Sequence, residues 1–77
     1  MNQKDLELIS KKQLIKSQLE EEFELYIEKG FNKEESINNL ISSIEKWSIN
    51  LYSHYSNIEA TSYLNYAYSV VDDLKTR

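Results

Sequence analysis

The stretch YIEKGFNKEESINNL, residues 26–40, decides how this chain folds. It contains the only glycine, Gly30, in a sequence without proline. Tyr26 and Ile27 close one helical stripe, and Ile37 and Leu40 open another. Gly30 stands where a C′ residue takes positive φ without a Cβ penalty. Lys29 lies in the last turn, where a cation suits the helix dipole. Asn32 then offers its amide as an N-cap, and Glu35 follows at capping-box spacing. Phe31, between the two caps, is placed to plug the end of a core. The stretch therefore predicts a helix, a tight reversal and a second helix.

Working outward, Leu8, Ile9, Ile15, Leu19, Phe23, Tyr26 and Ile27 share an arc of about 120° on a helical wheel. They predict a first helix over residues 3–29. Ile37, Leu40, Ile41, Ile44, Trp47, Leu51 and Tyr55 form a second stripe, over 33–54. Five of these, Ile37, Leu40, Ile44, Trp47 and Leu51, keep a 3-4-3-4 alternation, the seam of helices crossing at a shallow angle. Ser56-Asn57-Ile58-Glu59 is a second S-x-x-E capping box. Behind it Ala60, Tyr63, Leu64, Ala67, Val70, Val71 and Leu74 give a third stripe, over 57–75. Stripes and caps agree on an all-α fold, an antiparallel three-helix bundle whose first helix is longest. A helix continuous through 53–57 is the alternative, and such an extended hairpin would have to dimerise.

Composition narrows the functions. At 77 residues the chain is one domain, near the size at which a single core becomes marginal, so association with itself or a larger protein would add stability. There is no cysteine, which excludes disulfides and thiolate metal sites and fits a reducing compartment. The beginning lacks the apolar core of a signal peptide, and no run approaches the roughly 18 apolar residues of a membrane span. A cytoplasmic location is the expectation. Thirteen acidic against nine basic residues, net −4, disfavour a nucleic-acid surface. Abundant Ile, Asn, Lys and Ser suggest an AT-rich genome, bacterial or phage.

No catalytic set is legible. The single histidine, His54, falls at the end of the second helix, where capping or plain exposure explains it better than acid–base work. Glu20, Glu21, Glu24 and Glu28 have metal-ligand spacing but lie opposite the apolar arc, whereas carboxylate metal sites in bundles project inward. No glycine-rich phosphate loop is present. A helix-turn-helix with Gly30 at its turn would put Tyr26 where a small residue belongs, and Ser36 and Asn39 at buried positions. The sequence thus predicts no enzyme, no cofactor and no metal.

Gly30-Phe31 before a helix resembles the M-G-F loop of ubiquitin-associated domains, but the first helix is far too long for that compact fold. Ser17-Gln18-Leu19-Glu20 is similar to the S-Q-E-L-D signature of small sporulation phosphatases. Its leucine comes one place early and its aspartate is missing, so the catalytic feature is absent. In size and helical character the chain resembles the immunity proteins of small bacteriocins, without a motif that carries the likeness.

Two surfaces exceed what a minimal bundle needs. Residues 52–68 hold Tyr52, Tyr55, Tyr63, Tyr66 and Tyr68; Tyr55 and Tyr63 fall on or near core stripes, while Tyr52, Tyr66 and Tyr68 lie at stripe edges. Such rings serve either an interface or the rim of a small core. The second surface is the start of helix 1, where Lys4, Lys11, Lys12 and Lys16 face Asp5 and Glu7, followed by five glutamates between 20 and 28. Both halves oppose the helix dipole. Lys12 interrupts the apolar stripe, so residues 1–12 read as either frayed or partner-binding, with Leu6, Leu8 and Ile9 still apolar. A first helix of about 27 residues spans about 40 Å and should outrun its partners. The expected function is a small non-enzymatic interaction module docking on a larger protein as inhibitor, adaptor or immunity factor. Its candidate contacts are Leu6, Leu8, Lys11, Lys12, Lys16, Tyr52, Tyr66 and Tyr68. The alternative is a homo-oligomer formed through helix 1, where antiparallel copies would pair basic with acidic halves, or through the tyrosine-rich surface of helices 2 and 3.

Overall fold

The computed structural model of the chain describes residues 3–77, with side chains from Leu6 onward. The side chains of Lys4 and Asp5, and all of residues 1 and 2, lie outside the described residues. Three helices, α1 (Gln3–Glu28), α2 (Lys33–His54) and α3 (Asn57–Lys75), pack pairwise into an antiparallel bundle. No strand occurs among the described residues. The helix ends fall within one residue of the sequence expectation.

The two reversals are built differently. At the first, Gly30 has φ +100°, and its N–H donates to the Ile27 carbonyl at 3.1 Å. The Phe31 N–H donates to the Tyr26 carbonyl at 3.0 Å, completing a Schellman motif. The Tyr26 and Phe31 rings meet edge to face, 5.5 Å between centroids. Phe31 is 39% exposed, so it does not plug the core; it is the apolar clasp that accompanies this motif. Asn32 Oδ1 accepts from the Glu35 N–H at 2.8 Å, capping α2.

The second reversal needs no glycine because its two residues are extended. Tyr55 has φ −128° and ψ 162°, and Ser56 has φ −63° and ψ 160°, a region open to any residue. Ser56 Oγ accepts from the Glu59 N–H at 3.2 Å and donates to Glu59 Oε1 at 2.9 Å. The Tyr55 ring packs on that of Tyr63, 5.1 Å away at 71°. Helices α2 and α3 are therefore separate.

The core consists of Ile15 and Leu19 from α1, Ile37, Leu40, Ile44 and Leu51 from α2, and Ala60, Tyr63, Ala67, Val70, Val71 and Leu74 from α3. Leu8, Phe23, Tyr26, Ile41, Trp47, Leu64 and Tyr66 pack half-buried around it. Ile9 and Ile27, at one margin of the wheel arc, are exposed; α2 and α3 close on the side of the arc that contains Ile15 and Leu19. Ser36 is fully buried, and its hydroxyl is satisfied by donating to the Asn32 carbonyl at 2.8 Å. At the far end, Arg77 pairs with Glu20 at 2.7 Å, and Lys33 Nζ donates to the Arg77 carbonyl.

A Cβ at position 30 meets nothing within 4 Å, so Gly30→Ala carries only the backbone penalty, about 1–2 kcal/mol. Its urea midpoint should fall with the m-value unchanged. Leu40→Ala, at a site with no exposure, should cost about 2–5 kcal/mol. That is a large part of the roughly 4–12 kcal/mol expected for this length, and circular dichroism melts will rank the two variants.

Candidate functional site

The start of α1, the end of α2 and the start of α3 lie together at one end of the bundle, around the second reversal. Here Leu6, Glu7, Ser10, Lys11 and Leu14 form one wall of an open cleft of about 390 Å³. Tyr55, Glu59 and Tyr63 form the other. The stem of Lys11 separates this cleft from a smaller hollow of about 190 Å³ against Trp47, Asn50 and Leu51. Six of the ten exposed large apolar side chains among the described residues belong to this end: Leu6, Ile9, Leu14, Ile49, Tyr52 and Ile58. Ile49 and Ile58 are 71% and 85% exposed, well beyond what rim packing requires.

The basic segment of α1 lies against the bundle and not beyond it. Lys12 Nζ sits over the Tyr66 ring, 5.6 Å from its centroid. Cation–π attraction and a buried stem let a lysine occupy a boundary position, so Lys12 continues the stripe it was expected to interrupt. Lys11 and Lys12 are half-buried, and Lys16 is exposed. Leu6 and Glu7 still face Tyr55 and Glu59 across the cleft. The helix is longest, as its spacing implied, and from Leu6 onward it lies beside the second reversal, while the side chain of Lys4 is outside the described residues.

The tyrosines divide. Tyr66 packs against the core with Leu8, and Tyr52 shares a 3.0 Å hydrogen bond with Thr61 Oγ1 across the α2–α3 interface. Tyr52 and Tyr68 nevertheless remain exposed. Of the eight candidate contacts, Leu6 and Lys11 share the cleft, Lys12 and Tyr66 hold one another, and Leu8 is engaged in packing. Lys16 and Tyr68 stand apart from that cleft. Leu14, Ile49 and Ile58 were missed as candidates because each falls off its helix's stripe, and only their exposure identifies them.

On the acidic half of α1, Glu21, Glu24 and Glu28 are exposed and Glu20 holds Arg77. Glu22 is half-buried, with Oε2 shielded and without a hydrogen-bond partner among the described residues. His54 is exposed in the last turn of α2, its Nδ1 2.9 Å from the Asn50 carbonyl. With the proton on Nδ1 the ring donates to the Asn50 carbonyl one turn back, a local contact at the helix end. Among the described residues, no three of His, Asp and Glu converge as metal ligands. None of the helices there is long and apolar enough to cross a membrane.

Comparison with protein-family models, with curated proteins and with solved structures returns no match to this chain.

One wall of the cleft contains a buried phenol whose pKa is shifted. Tyr63 is 3% exposed, and burial raises its pKa above the usual 10.0, with the charges of Tyr55, Glu59 and Glu7 adding to the effect. The folded pKa is higher than the unfolded one. Stability from the neutral phenol is therefore fully present below about pH 10 and lost as pH climbs through the raised value. Thermal melts between about pH 8 and 11.5 should show a steep alkaline fall in Tm for the wild type. Tyr63→Phe should flatten that fall.

Proposed function

We propose that this chain is a small, non-enzymatic interaction module that acts by docking on a larger protein, as an inhibitor, adaptor or immunity-type factor. The observation that carries this reading is the open cleft lined by Leu6, Leu14, Tyr55 and Tyr63, with Ile49, Tyr52 and Ile58 exposed toward the same end of the bundle. Each of the exposed side chains would be replaced without loss if its only duty were solubility. A partner covering them removes apolar area from water at about 25 cal/mol per Å². Interfaces place such aromatic and aliphatic groups centrally and rim them with charge; here Glu7, Lys11 and Glu59 stand at the edge.

A cleft this open favours a protein surface over a small substrate. The acidic balance, 13 against 9, favours a protein partner over nucleic acid. A cytoplasmic setting agrees with the absence of cysteine. The residue usage of an AT-rich genome agrees with a bacterial or phage origin.

Affinity capture with the full chain should retain a stoichiometric partner from bacterial or phage-infected lysate. Leu6→Glu and Ile58→Glu, at exposed positions, should abolish capture with helicity unchanged. Asn38→Asp, on the exposed surface near the opposite end, should retain it. Capture unaffected by either glutamate variant would move the interface elsewhere and sink the reading.

A further inference from the structure

The outward side of α1 contains a second periodic seam, whose leucines take no part in the core. Lys11, Leu14, Gln18, Glu21, Leu25 and Glu28 follow one another at spacings of 3, 4, 3, 4 and 3, the heptad rhythm of a two-helix contact. Five of the six are exposed and Lys11 is half-buried. Leu14 and Leu25, 66% and 50% exposed, are the apolar members. Neither leucine belongs to the core stripe of α1, which runs through Ile15 and Leu19.

The seam is complementary to itself when reversed. Two copies of α1 laid antiparallel, with the two-fold axis midway between Gln18 and Glu21, set Leu14 of one copy against Leu25 of the other. The same register sets Lys11 against Glu28 and Gln18 against Glu21. Each pairing occurs twice by symmetry. Every layer is then apolar on apolar, cation on anion, or amide on carboxylate. A parallel arrangement instead stacks Glu21 on Glu21, Glu28 on Glu28 and Lys11 on Lys11. From this we infer that the chain forms an antiparallel homodimer through the outer seam of α1, in the register Lys11–Glu28, Leu14–Leu25, Gln18–Glu21.

The contact is small, two leucine layers flanked by polar ones. It falls below a standard interface and belongs with weak, reversible association. Electrostatic matching here sets register and orientation more than affinity. The inference goes beyond the docking reading and meets it at one point: Leu14 and Lys11 also line the cleft, so a partner and a second copy compete for them.

Sedimentation equilibrium of the full chain up to about 500 µM should show a monomer–dimer equilibrium that weakens with salt. Lys11→Glu or Glu28→Lys alone turns two attractions into two repulsions, and should raise the dimer Kd about tenfold or more. The double variant K11E/E28K should restore it to near the wild-type value. Because the chain has no cysteine, single cysteines report register directly. Leu14→Cys mixed with Leu25→Cys should yield a mixed disulfide, while either alone should oxidise slowly, its two thiols about 16 Å apart. Circular dichroism confirms that each variant folds. A wild-type monomer throughout that range overturns the inference and leaves the docking reading standing. So does a dimer unmoved by the charge swaps, or one in which Leu14→Cys copies cross-link to each other as readily as to Leu25→Cys.

Discussion

Between Glu28 and Lys33 the chain must turn back on itself within four residues, and only one of them tolerates the backbone this requires. Gly30 at φ +100° directs the following residues so that the Gly30 and Phe31 N–H groups return to the last carbonyls of α1. The Tyr26–Phe31 ring contact clasps the turn from outside. With the direction fixed there, α2 runs antiparallel to α1, and Leu40 and Ile44 join Leu19 in the core. The end of α2 is thereby delivered beside the start of α1. The cleft at the second reversal is thus a distant consequence of one positive φ.

The second reversal supplies a contrast in how chains turn. Tyr55 and Ser56 lie in an extended region that needs no special residue. What holds them is chemistry on side chains: the Ser56–Glu59 exchange and the Tyr55–Tyr63 contact. Tyr63 serves as both core residue and cleft wall. The same ring therefore couples the cleft to the stability of the bundle, and its raised pKa is a sign of that burial.

Helix limits were legible because caps and stripes are local signals, written within a few residues of where they act. Asn32, Ser56 and Gly30 each act as their sequence context implied. Less legible was anything that depends on the neighbour. A wheel gives the direction of Lys12 but not that Tyr66 will lie beneath its ammonium. It gives Phe31 an apolar character without saying that the ring will clasp Tyr26. Likewise the arc of α1 includes Ile9 and Ile27, yet how far α2 and α3 close around it is a tertiary matter. The candidate end of the bundle was half visible. Leu6 and Lys11 came from the unusual start of α1, while Ile49 and Ile58 emerged only once exposure was known.

Helix α1 clarifies why its pattern is harder to read than those of α2 and α3. Its apolar residues are not confined to one stripe: Leu8, Ile15, Leu19, Phe23 and Tyr26 pack in or against the core, while Leu14 and Leu25 are exposed on the outer seam. A helix with one duty needs one stripe. Two sets of leucines on different sides, with lysines early and glutamates late, are costly for an isolated helix because the charges oppose its dipole. The arrangement gains a physical rationale when the outer side meets a surface of reversed polarity. The charge order that weakens α1 alone is the order that lets an antiparallel copy match it. The same order gives any other partner at this end a directional cue, basic near the cleft and acidic away from it.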